Sequence, residues 1–349
     1  MPDPLTDTAS NGDDRTSGRL APSATGEASP VWNRRSLLIG ALAAGVLAAC
    51  SGGNDDSSDT AGGTAGDTAA DPPDGSEGAP SGTDPADDID SSTLAFGTYT
   101  VVQRFPQHVQ APGSQRLPMS LSTGAAELIQ DGPATLGAVV VDAVGTEISP
   151  RLTAKRRDVE PAPYYDFHTA VPEEGFYSLV VDGGPEDGAG FQVTAPGDVT
   201  VPAPGAPLPP FDTPTIDDSR GVDPICTRDP EPCPFHDVTL TEALENASAD
   251  GRVVAYYIGT PALCQTGSCT PALESMIDLR DEFADTVTFV HAEVYIDDAA
   301  TAVTPAVEAA GLDYEPVLFI TDSDGIIVER LDAVWNVTEL RETLLRAVG

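Results

Sequence analysis

The chain has 349 residues, enough for about two domains, and sets 17 Lys+Arg against 56 Asp+Glu, a formal net charge of −39. Such a surface repels phosphate backbones and excludes nucleic acid as a partner. Lys155 is the sole lysine, which excludes a Walker-A loop, a PLP Schiff base and a kinase-type lysine. His108, His168, His236 and His291 form no HExxH or HxH pattern, there is no GxSxG elbow, and no cofactor is implied. With 33 Gly and 32 Pro, part of the chain must be linker or turn-rich β-structure. The five cysteines carry most of the functional signal.

The first element is an address. Residues 1–36 are polar, turn-rich and end in Asn33-Arg34-Arg35-Ser36; residues 37–49 are an uncharged run of 13. A helix across a hydrocarbon core needs about 20 residues, so this run does not span. Its length and basic flank fit a signal-peptide h-region. The arginine pair resembles a twin-arginine export signal, with Asn33 and Leu37 departing from the usual residues. Leu47-Ala48-Ala49-Cys50 resembles a bacterial lipobox, which implies cleavage before Cys50 and acylation of that cysteine, palmitate included. The other reading is a short uncleaved anchor with an incidental cysteine. The lipobox reading makes the protein an extracytoplasmic, membrane-anchored lipoprotein.

Residues 50–92 follow as an acidic linker, rich in Gly, Ser, Thr, Ala and Pro, with almost nothing apolar to offset the entropy of ordering. It is predicted to be a disordered, extended tether. Across 93–200 short apolar runs alternate with turn signals: 99–105, 116–121, 136–144, 164–169, 176–182 and 190–194. That spacing predicts an all-β sandwich. Gly175-Phe176-Tyr177 resembles the entry of a late strand in immunoglobulin-like domains. His108 and His168 fall at or near strand ends, and no catalytic constellation is present.

Residues 201–235 are Pro-rich and predict an extended strap between domains, since neither helix nor sheet interior tolerates that proline density. In 236–349 strand and helix alternate. The run 252–259 reads as a strand buried on both faces. A helix is predicted over 270–284, a strand over 287–296 and a short helix over 303–310 that Gly311 ends. Two strands, 317–321 and 326–331, flank Asp322-Ser323-Asp324-Gly325, and a last helix over 336–348 is capped by Asn336. This is an α/β layer order.

The segment 236–349 resembles the thioredoxin family. Cys264 follows the first buried strand and precedes the long helix, Ala292 to Asp297 matches a core strand, and Glu315-Pro316-Val317 matches the family's cis-proline segment. The resemblance implies an α/β thioredoxin-like fold, a redox-active Cys264 and a Pro316 that shapes the peptide-binding edge. The sequence departs from the family in four ways. The cysteines stand as Cys264-x4-Cys269, the first strand lacks a buried acid, and Glu293 and Glu315 occupy positions where the family keeps Lys and an uncharged residue.

With Cys50 set aside, four cysteines allow three connectivities. Local pairing is favoured. Cys226–Cys233 reads as a structural disulfide clipping the strap, or as an exchange partner for the second pair. Cys264–Cys269 reads as a redox pair, a structural disulfide or a metal site. A helix N-terminus would lower the Cys264 pKa, while Glu293 or Glu315 nearby would raise it and slow exchange.

Three functions fit. The first is a membrane-tethered thiol–disulfide oxidoreductase acting on envelope proteins that carry disulfides or thiols. Cys264 attacks, Cys269 resolves, and Pro316, Glu293 and Glu315 shape the site. The second is a copper-handling metallochaperone on the same fold; His291, its candidate extra ligand, lies on a predicted core strand. The third is a non-enzymatic envelope-binding lipoprotein with a structural disulfide.

Overall fold

A computed structural model describes residues 90–349. The signal segment, the h-region, Cys50 and nearly all of the acidic tether lie outside the described residues. Folded structure begins slightly before the expected boundary at residue 93. A 3-10 turn, Ser91–Thr93, is capped by Asp90, and Ser91 Oγ donates to Asp182 at 2.8 Å while accepting from the Gly137 amide at 3.0 Å.

Seven antiparallel strands follow: β1 (Thr100–Gln103), β2 (Gly113–Ser122), β3 (Thr135–Asp142), β4 (Leu152–Arg157), β5 (Tyr164–Val171), β6 (Gly175–Val181) and β7 (Ala189–Val193). They pair in the order β1-β2-β5-β4-β3-β6-β7. β4 turns the sheet over on itself, into a nearly barrel-like form. Its residues Leu152 to Lys155 pair with β3, and Arg156 and Arg157 pair with β5. One wing then contributes Leu117, Met119, Leu121, Tyr165 and Phe167 to the core, and the other Leu136, Val140, Leu179, Val181 and Phe191. Short apolar runs between turn signals made six of these strands legible. β4 was not among them: Leu-Thr-Ala-Lys-Arg-Arg has only Ala154 fully buried, and its guanidinium groups reach backbone oxygens and carboxylates instead of solvent.

The second sheet has the order β11-β10-β8-β9. β8 (Val253–Ile258) is buried at every position and runs parallel to β9 (Val287–Ala292) and antiparallel to β10 (Val317–Thr321). β11 (Ile327–Asp332) closes the edge. Helices α2 (Cys269–Leu279) and α4 (Val337–Ala347) pack on one face, around Val253, Ala255, Tyr257, Leu273, Met276, Leu318, Ile320, Trp335 and Leu340. α3 (Pro305–Ala309) is short, and β9 ends four residues before the predicted strand does. α1 (Leu240–Asp250) is a helix the apolar periodicity did not reveal. Its signal is a capping box: Thr239 accepts from the Glu242 amide, and the Glu242 carboxylate accepts from the Thr239 amide at 2.9 Å.

The Pro-rich strap forms neither helix nor strand, as expected, but it is paired. Gly205 and Leu208 donate to the Ile327 and Gly325 carbonyls at 2.8 and 2.9 Å, and Ile327 donates back to Ala206. The strap thus covers backbone groups that the β11 edge would otherwise leave open.

Buried guanidinium groups join the two sheets' elements. Arg116 of β2 donates to both carboxylate oxygens of Glu339 on α4, at 2.6 and 2.8 Å, and to the Asp332 and Val334 carbonyls. Tyr164 donates to the same carboxylate and accepts from the Asn336 amide. Arg330 of β11 binds Asp332 and the carbonyls of Val109, Val201 and Pro202. Among the described residues no helix is long and apolar enough to cross a membrane.

Candidate active site

β8 delivers the chain to Gly259 and Thr260, and the next turn carries Cys264. The backbone re-enters a helix at Cys269, the first residue of α2. Between the cysteines Gly267 takes a left-handed φ of +69°, which lets four intervening residues bend back toward the helix start. Ser268 precedes α2 without a side-chain cap, so the first amides of the helix remain available. The Cys269 amide points at the Cys264 sulfur, 3.4 Å away, and Thr266 Oγ1 stands 3.3 Å from that sulfur.

The two thiols are in opposite situations. Cys264 is half-buried and Cys269 fully buried. The Cys269 side chain hydrogen-bonds to Cys264, and with help from Thr266 and the helix amide it outweighs burial and brings the Cys264 pKa down to about 5. Burial, the Cys264 sulfur and the Glu315 carboxyl push Cys269 well above its ordinary value. At neutral pH one sulfur is a thiolate and its neighbour keeps its proton.

Glu315 lies behind the pair, joined by a cis peptide to Pro316 at the start of β10. Its Oε2 accepts from the Thr260 amide at 2.8 Å and from the Cys269 thiol at 3.4 Å. Burial first, and the Cys264 charge second, raise its pKa to about 8. This corrects the expectation that Glu315 disfavours the Cys264 thiolate. The carboxyl contacts Cys269, not Cys264, and being largely protonated at neutral pH it adds little negative charge.

Glu293 is buried on the segment after β9, but its Oε1 accepts from the Thr227 amide and from Thr227 Oγ1 at 3.0 Å. It bonds to neither Cys264 nor Cys269. Arg104, between β1 and β2, was not singled out in the sequence. It is buried, one of its terminal nitrogens has no hydrogen-bond partner, and the Cys264 charge acts on it. Pro161 of the first sheet's β4–β5 loop also stands against Gly267. Thr260, Thr266 and Arg104 leave no sequence signature, because each contributes through a backbone group, a short hydroxyl or a distant loop.

Cys226 and Cys233, read from the sequence as a clip, stand in this structure as two thiols. All four described cysteines are free thiols. Cys226 and Cys233 share a buried pocket with His236 and His291; Cys233 Sγ stands 3.4 Å from His236 Nε2 and 3.2 Å from His291 Nδ1, and Cys226 Sγ accepts from the Cys233 amide at 3.3 Å. His291 is buried on β9 as expected, and its Nδ1 faces the Cys233 sulfur.

No family model matches the chain, and no curated protein matches it. Seven solved chains are similar in structure. One is a thioredoxin-family thiol:disulfide interchange protein from Chlorobium tepidum TLS, at 13% identity and a TM-score of 0.27, covering 43% of this chain and 100% of its own. Another is a DsbH oxidoreductase, at 15% identity and a TM-score of 0.20, covering 30% of this chain and 80% of its own. These neighbours are similar to part of the chain, at scores that leave its activity to be argued from its own residues.

Proposed function

We propose that the chain is a thiol–disulfide oxidoreductase whose C-terminal segment is thioredoxin-like and works through Cys264 and Cys269. The observation that carries this is the asymmetry of the pair: an accessible sulfur held as thiolate at a helix start, and a buried, protonated sulfur with a carboxyl group on it. Nucleophile and resolving thiol need those two states.

In the reducing direction the Cys264 thiolate attacks one sulfur of a substrate disulfide. A Cys264–substrate bond forms, the substrate S–S bond breaks, and the second substrate sulfur leaves as thiolate. Losing the Cys264 charge removes one of the causes that keep Glu315 protonated, so its acidity increases at that moment. The resulting carboxylate is placed to take the Cys269 proton. Cys269 then attacks Cys264, and the substrate's other sulfur departs. The pair ends oxidised, having given two electrons to the substrate.

The N-terminal lipobox, with Cys50 as the acylated residue, would hold this activity at the outer face of a membrane. The substrates would then be envelope proteins with disulfides or thiols. The immunoglobulin-like reading of the first sheet suits a wall that presents such substrates, since Pro161 stands against Gly267 between the cysteines and Arg104 feels the Cys264 charge. The test is reduction of insulin by the purified full chain with a dithiol donor. Turnover is expected in the native chain and lost in Cys264→Ser. An inert native chain would leave the non-enzymatic binding reading in its place.

A further inference from the structure

The two sequence-distant histidines and the strap cysteines make a second thiol site that the exchange chemistry does not use. Cys226 and Cys233 come from the strap, His236 from the turn after it, and His291 from β9. All four side chains are buried. One ligand atom from each lies within 4.8 Å of every other. Cys233 Sγ is 3.4 Å from His236 Nε2 and 3.2 Å from His291 Nδ1. In a tetrahedral centre with metal–sulfur bonds of ~2.3 Å and metal–nitrogen bonds of ~2.0 Å, sulfur–nitrogen edges come to about 3.5 Å. The observed pairs stand close to those edges.

The outer contacts prepare the ligands. His291 Nε2 donates to the Gly259 carbonyl at 3.0 Å, which fixes the tautomer with its lone pair on Nδ1, toward the sulfurs. The Cys233 amide points at Cys226 Sγ from 3.3 Å, the kind of amide–sulfur contact that supports a bound thiolate. Glu293 lies outside the four-residue set and is held by Thr227.

We propose that Cys226, Cys233, His236 and His291 bind one zinc ion in a closed, structural S2N2 centre. Two thiolates and two neutral imidazoles carry a charge of −2, which a divalent ion cancels. A monovalent copper ion would leave a net negative charge in a fully buried pocket, which is costly. Thiolates with imidazoles in a tetrahedral set favour zinc over harder ions. Binding breaks two S–H bonds, releases both protons to solvent and changes no oxidation state. Four protein ligands leave no open position, so the ion ties the strap to β9 and takes no part in exchange. The spacing Cys-x6-Cys-x2-His with a His 55 residues further on falls outside the usual short-spaced zinc patterns, which is why the sequence did not show it.

The test uses the full chain, purified anaerobically and dialysed against zinc sulfate, with bound metal measured by mass spectrometry and X-ray absorption. One zinc per chain is expected, with two sulfur and two nitrogen scatterers. Zinc should be lost from the Cys226→Ser, Cys233→Ser double variant and kept by Cys264→Ser, Cys269→Ser. If the first variant does not fold, the scatterer count in the native chain still decides. A native chain without zinc that yields a Cys226–Cys233 disulfide peptide overturns the proposal. So does zinc retained by the first variant and lost by the second, or a chain that takes up copper(I) and no zinc.

Discussion

Cys264 should react as a low-pKa thiol, and Cys269 should be the main reason. A fall from 9.0 to about 5 corresponds to about 5 kcal/mol of preference for the thiolate. At pH 6 about 90% of such a thiol is ionised, against about 0.1% of an ordinary one. Intrinsic nucleophilicity falls by roughly 40- to 100-fold over the same four units. The net expectation is alkylation by iodoacetamide about tenfold faster than a model cysteine peptide at pH 6, and several-fold slower at pH 8. The two profiles cross near pH 7. Cys269→Ala removes the largest single cause, a hydrogen bond to a charged acceptor of about 1.5–3 kcal/mol, and should move the Cys264 midpoint up by about one to two units. The assay is peptide-resolved alkylation of the reduced full chain across pH 4–10. A native profile that climbs throughout that range like the model peptide, or a Cys269→Ala profile that superimposes on the native one, refutes this account of the site.

Glu315 has a second consequence, for stability. Its folded pKa of about 8 stands above the ordinary 4.5, so below pH 4.5 both states are protonated, and between 4.5 and 8 only the folded state holds the proton. Stability is therefore full below that window and falls across it by at most about 1.4 kcal/mol per pH unit; Glu315→Gln should flatten this slope in urea titrations and slow release of the mixed disulfide. Arg104→Met should raise the Cys264 midpoint by a fraction of a unit, read by the same alkylation profile, because it removes a buried, partly unpaired guanidinium whose charge interacts with the Cys264 thiolate. Glu339→Ala strands the buried Arg116 guanidinium and should cost about 3–5 kcal/mol in chemical denaturation. Thr239→Ala breaks the capping box of α1 and should cost about 1 kcal/mol.

What the sequence made legible follows from local periodicity. β8 was readable because every position is apolar and buried, and α2 and α4 because their buried residues recur at helical spacing. β4 escaped because its interactions are carried by Arg156 and Arg157, whose partners lie in the loop before β3, on β5 and on α4. α1 escaped because small residues fill its buried face, Ala243 and Ala247 beside Leu240. At the site, Cys264, Cys269, Glu315 and Pro316 could be placed from their order along the chain. The sign of the Glu315 effect could not, since it depends on which sulfur the carboxyl touches and on its own protonation. The Cys2His2 pocket was hidden for a similar reason: it assembles strap and β9, and only tertiary packing brings His291 to Cys233.

The most direct test of the exchange mechanism is trapping of its first covalent intermediate. Cys269→Ala, incubated with oxidised glutathione at pH 6 and quenched in acid, should carry one glutathione on Cys264, while Cys264→Ser should carry none. The native chain should pass through that adduct to a Cys264–Cys269 disulfide. A Cys269→Ala chain that remains unmodified at pH 6, or a native chain that holds the adduct without closing the pair, would contradict the assignment of Cys264 as nucleophile and Cys269 as the resolving thiol.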